Sequence, residues 1–258
     1  MTKIISLFNQ SGGVGKTTLT MNLGYQLALM GKKILLVDAD PQSSLTVFMG
    51  LKHYELKESI YDAVVHREKL PIHTNIHQVD LVPANIVLSK ADLELASALR
   101  REDRLISALQ PHLGEYDFIL IDCPPSLGIM SVMALVASDY LLIPIQTEYK
   151  AVEGTILLLK TVLEMVQVAN HQLKVAGIIP TMFDARTSQG VKTHKYIHSI
   201  FEELREHPIF DQARVYPAIP RRTDFADAAT AHKPLALYSP RHAVIELLNE
   251  IAQKLEEL

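Results

Sequence analysis

The 258-residue chain contains a single cysteine, Cys123. One thiol cannot build a disulfide framework or a multi-thiolate cluster within one chain. No apolar stretch approaches the roughly 20 residues of a membrane-spanning helix. The opening MTKIISLFNQ lacks a cationic stretch leading into a long apolar run, so no secretory leader is expected. Linkers, internal repeats and low-complexity tracts are missing too, and residues 1–258 are expected to form one domain. Excess positive charge is also missing. The net charge is −4, which argues against coating nucleic acid with the whole surface. These absences predict a soluble cytoplasmic protein.

What is present is apolar: 48% of the chain, enough for a sizeable core. Short apolar runs read as strands: KIISLFN (3–9), KKILLVD (32–38), HQVDLVPAN (77–85), DFILIDCPP (117–125), SDYLLIPIQ (138–146) and KVAGIIPTM (174–182). After the first of them, TTLTMNLGYQLALMG sets Leu19, Leu23, Leu27 and Met30 on one helical face, and Gly31 suits a C-cap. Further helical patterns cover 90–100, 101–113, 129–138 and 152–169, and 241–258 reads as an amphipathic closing helix. Strand, glycine turn, helix and strand in that order make a βαβ unit. Strands apolar almost throughout imply a parallel sheet covered on both faces. The expected fold is α/β, a single doubly wound, mostly parallel sheet with helices on both faces, of the P-loop NTPase type.

The chemistry concentrates in FNQSGGVGKTTLTMNL, residues 8–23. Gly12, Gly13 and Gly15, with Val14 between them, let the backbone wrap an anion at the start of a helix whose dipole favours negative charge. Lys16 is placed to contact phosphates, and the Thr17 hydroxyl, followed by Thr18, is placed to ligate Mg²⁺. Gln10 stands where the standard G-x-x-x-x-G-K-[ST] pattern has its first glycine. Asp38 and Asp40 end the second strand, and Asp122 ends another. Open α/β sheets bind ligands outside the carboxyl ends of their strands. Aspartates there hold a metal shell or align a water for attack on a phosphoryl group.

These segments resemble the ParA/MinD family of deviant Walker-box ATPases. The resemblance extends through GGVGKTT, LLVDADPQSSLT, DFILIDCPPSLG, IPIQTEYKAVEG, GIIPTMFDARTSQG and IPRRTDFADAATAHKPLALYSP, nearly the whole chain. It implies an ATP-dependent dimer with nucleotide sandwiched between subunits, slow hydrolysis stimulated by a partner protein, and Mg²⁺ as cofactor. Carried over by position, Lys16 and Thr17 are the phosphate and Mg²⁺ residues and Asp40 aligns the attacking water. Asp38 and Asp122 hold Mg²⁺ through water. Met182 and Asp184 flank the adenine, and Pro220 with Arg221 belongs to the loop closing over the base. Many partition-type members bind nonspecific DNA as the ATP dimer and position a cargo on the nucleoid through an adaptor.

One position departs from the family. Relatives carry a lysine directly before the paired glycines that reaches the partner subunit's phosphates; here that position is Ser11, too short and uncharged. Lys150, where relatives usually carry an aromatic residue, is the candidate replacement. That pattern resembles the carboxysome-positioning McdA subgroup; a plasmid or chromosome partition role is the alternative. For DNA the candidates are Arg186, Lys192, Lys195, Arg221 and Arg222. They lie in a window, 186–242, holding nine Lys/Arg against six Asp/Glu and five of the eleven histidines. His194 and His198, one turn apart, read as surface residues that sharpen this basic patch at lower pH. The tail ELLNEIAQKLEEL has four glutamates against one lysine, so anionic lipids would repel it and no membrane role is expected. An iron-protein role needs paired cysteines, which one thiol excludes. An ATP-dependent small-molecule enzyme on the same fold is the alternative from another class.

Overall fold

The computed structural model describes residues 1–148, 153–154, 159–164, 170 and 172–258. Its centre is an eight-stranded sheet: β1 (Lys3–Leu7), β2 (Ile34–Asp38), β3 (His73–Ile76), β4 (Val79–Val82), β5 (Phe118–Asp122), β6 (Tyr140–Gln146), β7 (Lys174–Thr181) and β8 (Arg214–Val215). The order across the sheet is β3-β4-β2-β5-β1-β6-β7-β8. Every pairing is parallel except β3 with β4.

The strands alternate two apolar faces. Ile5, Leu7, Ile34, Leu36 and Leu120 point toward the helix α1 (Lys16–Leu29) and the closing helix Val244–Glu256. Ile4, Leu35, Val37, Ile119 and Ile121 point the other way. There they meet Ile60–His66, Arg104–Leu109, Ile129–Ala137 and Ser188–Leu204. Layers on both faces remove the inner strands from water, which is why their sequences show no polar alternation. The closing helix buries Val244, Leu248, Ile251, Ala252 and Leu255 against α1's side of the sheet, as its amphipathic pattern predicts.

α1 ends where expected: Gly31 takes φ 82 and donates its amide to Ala28 O at 2.9 Å. The patterns at 90–100 and 101–113 do not form two full helices. The chain instead makes short turns at Ala91–Glu94, Arg101–Asp103 and Arg104–Leu109. Arg100, at φ 52, is left-handed just before Arg101–Asp103, and a left-handed residue ends an α-helix. β3 and β8 are additional strands that the sequence reading does not contain. The helical pattern at 152–169 lies partly outside the described residues; 153–154 and 159–164 are helical.

β7 carries one close approach. The β6–β7 register shifts between Leu141 and Leu142, so that Val175 and Gly177 face consecutive residues of β6. Gly177 sits at φ 150, and a Cβ there would lie 2.1 Å from the Arg214 carbonyl of β8.

Candidate nucleotide site

The site lies at the carboxyl tips of β1, β2, β5, β6 and β7. β1 runs into the glycine loop, and the loop opens α1 at Gly15, whose φ of 92 needs no Cβ to accommodate. α1 has no side-chain cap and no acidic residue in its first turn. Its terminal amides are therefore available to an anion. Lys16 is buried, and its ammonium donates to the carbonyls of Asn9 at 2.9 Å and Ser11 at 3.0 Å. Burial lowers its pKa, partly offset by Asp122. Ser11 is half-buried, and its amide donates to Asn9 Oδ1 at 2.9 Å.

Asp38 and Asp122 are register partners on adjacent strands, both fully buried. Asp38 Oδ2 accepts from the Thr46 amide at 2.8 Å and its hydroxyl at 2.7 Å; Oδ1 accepts from the Asp40 amide at 3.2 Å. The Thr46 hydroxyl in turn accepts from the Ala84 amide at 2.9 Å. Burial nevertheless pushes the Asp38 pKa up to about 7 against these donors. Asp122 is different. Both its oxygens are buried and, among the described residues, have no hydrogen-bond partner. Thr17 faces it without making a bond of ordinary geometry. Burial, and next the neighbouring Asp38, raise its pKa well above the usual carboxylate value. Two desolvated carboxylates beside a threonine hydroxyl, one with free lone pairs, are an oxygen set suited to Mg²⁺. Asp40 is half-buried beyond them, and its Oδ1 accepts from the Gln42 amide at 2.9 Å.

On the other flank, β7 ends at Thr181 and the chain turns at Met182, φ 53. Phe183 bridges to Pro220, and its amide donates to Ile219 O at 3.1 Å. The 182–184 and 219–221 segments therefore lie together. Asp184 is held by Arg186 through Nε and Nη2, both at 2.9 Å, and this pairing lowers its pKa to about 2. Arg186 is therefore in an ion pair, while Lys192, Lys195, Arg221 and Arg222 are exposed. Ser188–Leu204 buries Gly190, Thr193, Ile197 and Phe201 and leaves Lys192 and Lys195 outside. His194 departs from the surface reading. It is half-buried, 5.0 Å from the Phe183 ring and 4.8 Å from His198 between centroids. Burial lowers its pKa, which opposes its protonation at mildly acidic pH. Lys150 lies outside the described residues.

Cys123 is fully buried, as a small core residue. The sequence reading missed Asn9, Thr46, Gln146 and Thr181, which hold the site together. Their signal is a polar side chain at or just past the tip of an apolar strand, or in the turn facing it. Gln146 donates to Gly13 O and Thr181 to Val14 O, each at 2.9 Å.

Residues 2–175 match the family model of the AAA domain. The chain is 40% identical to the sporulation initiation inhibitor protein Soj of Bacillus subtilis, covering 98% of each. It is 39% identical to the chromosome partitioning protein ParA of Myxococcus xanthus, over 92% of this chain and 81% of the relative. Among solved structures, cobyrinic acid a,c-diamide synthase from Mycobacterium smegmatis with bound ADP and magnesium superimposes with a TM-score of 0.79. It is 31% identical, over 93% of this chain and 97% of that one. Apo McdA from Cyanothece superimposes with a TM-score of 0.84 over 99% and 100%, at 24% identity, a likeness of fold alone.

Proposed function

Since the chain belongs to the ParA/MinD family of P-loop ATPases, we propose that it binds ATP with Mg²⁺, hydrolyses it slowly and positions a cargo on DNA as an ATP-dependent homodimer. The observation carrying the nucleotide part is Asp122: a buried carboxylate that makes no hydrogen bond of ordinary geometry among the described residues, beside Thr17, Asp38 and an open glycine loop. The residues that would hold the cation are Thr17, Asp38 and Asp122, the aspartates through water. Mg²⁺, when bound, supplies charge neutralisation at the phosphoryl oxygens. Lys16 exchanges its bonds to Asn9 O and Ser11 O for phosphate oxygens. Asp40 orients the attacking water, and Met182, Asp184, Pro220 and Arg221 flank the base.

DNA binding is assigned to Lys192 and Lys195, exposed on the helix Ser188–Leu204, and to Arg221 and Arg222, exposed in the segment whose Arg221 amide donates to Phe183 O at 3.3 Å. Arg186 steadies Asp184 and contributes to DNA only if that pair opens. An adaptor protein stimulates turnover and links the dimer to its cargo, and the location is the cytoplasm, on the nucleoid. The chromosome partitioning relative at 39% identity supports a partition complex as cargo. A carboxysome rests on Ser11 and Lys150 together with a likeness of fold. A small-molecule ligase is the second reading, supported by the structural match at 31% identity. Gel shift on random-sequence DNA separates the classes. An ATP-dependent shift at low salt that weakens steeply as salt rises is expected. The same DNA affinity with and without ATP would sink the positioning role.

A further inference from the structure

β6 and β7 end side by side, with Gln146 in register with Thr181. Both side chains reach the glycine loop. Gln146 Nε2 donates to the Gly13 carbonyl and Thr181 Oγ1 to the Val14 carbonyl, each at 2.9 Å. A trans peptide group is planar, so its C=O and the next residue's N–H point in opposite directions. Holding the Gly13 carbonyl therefore aims the Val14 amide, and holding the Val14 carbonyl aims the Gly15 amide. Neither amide donates to another described residue. Each points away from the side chain that holds the carbonyl of its own peptide group. Gly13 at φ 72 and Gly15 at φ 92 are in a region that leaves glycine peptides free to swing, so the aim has to come from outside the loop. The other flank is tied as well: Asn9 Nδ2 donates to Pro144 O of β6 at 2.8 Å, and Asn9 Oδ1 holds the Ser11 amide.

We propose that Gln146 and Thr181 are positioning residues for the triphosphate. They fix the 13–14 and 14–15 peptide planes, so that the Val14 and Gly15 amides form a standing nest for phosphate oxygens. This rests on the ATP-binding reading above. Neither side chain touches the nucleotide; both act through the loop backbone.

Three variants test it. Thr181→Val and Gln146→Met each remove one donor with little change of shape, and Thr181→Ser keeps the hydroxyl. The first readout needs no ligand: backbone ¹⁵N order parameters of Val14 and Gly15 in the nucleotide-free protein. Values near the rigid level of about 0.85 are expected in the parent and in Thr181→Ser. They should drop toward about 0.6 at Gly15 in Thr181→Val and at Val14 in Gln146→Met, with the sheet unchanged. The second readout is calorimetric affinity for Mg-ADP. It should weaken about fivefold for each donor removed and stay near the parental value in Thr181→Ser. Parental order parameters in both donor-less variants, or parental Mg-ADP affinity, would overturn the assignment. A parent that binds no Mg-ADP would instead overturn the ATP-binding reading, and the order parameters would still decide whether the side chains hold the loop.

Discussion

Asp122 is the residue whose environment fits the nucleotide-free chain least well. Burial and Asp38 raise its pKa, so the native state binds its proton more tightly than the unfolded state does. Stability linked to such a group is fully present below the unfolded value near 4 and is lost as pH rises. Asp38, at about 7, loses its share between roughly pH 4 and 7 in the same direction. Asp122→Asn should therefore match the parent in thermal melts at about pH 4 and below and exceed it increasingly toward pH 8, by about 1–3 kcal/mol, while Mg²⁺-dependent ATP affinity falls. Identical pH profiles for the two proteins would contradict this. Asp40→Ala should bind ATP yet fail to turn it over in a phosphate-release assay; near-parental turnover would mean another group aligns the water. The residues legible in the sequence were those whose chemistry sits in contiguous or strand-end patterns: Gly12 to Thr18, Asp38, Asp40 and Asp122. Thr46, Gln146 and Thr181 were not legible, because their role depends on which strand tips become neighbours. That is a property of sheet order, which no local pattern carries.

At the scale of elements, periodicity identified the long strands and α1 because layers on both faces impose it. It failed for β8, whose two residues carry no pattern, and for β3, where HTNI is polar and pairs at the edge. It also over-extended 90–113, where apolar spacing continued past the left-handed residue Arg100. β7 offers a sharper test. Gly177→Ala places a Cβ against the Arg214 carbonyl at 2.1 Å. Relief requires β8 to separate from β7. Overpacking of this kind costs about 1–3 kcal/mol, which denaturant midpoints will read. Mg-ADP affinity should change little, because Thr181 and its bond to Val14 lie at the far end of the strand. A variant as stable as the parent would show that the β7–β8 contact yields freely.

For the whole molecule, the open question is the charge that Ser11 does not supply. If Lys150 supplies it across a dimer, Lys150→Ala should leave the monomer's melting temperature intact and reduce the ATP-dependent dimer peak in size-exclusion chromatography. An unchanged dimer peak would rule out that compensation. The order of the sheet gives the site a direction as well. Crossing the tips from β2 to β7, the residues run Asp38, Asp122, the glycine loop with Lys16, then Gln146 and Thr181: two acids, a cradle carrying one ammonium, then two neutral donors. A ligand that is polyanionic at one end and an uncharged ring at the other meets unlike surroundings on the two sides of β1. Its cation-bearing end has reason to lie only toward β5 and β2, leaving the ring toward β7. The reversed pose would set the uncharged ring against two buried carboxylates and carry the phosphates and their cation away from them. Sheet order, by setting the acids on one side of β1, thus gives the pocket a direction for its ligand before any residue recognises the base.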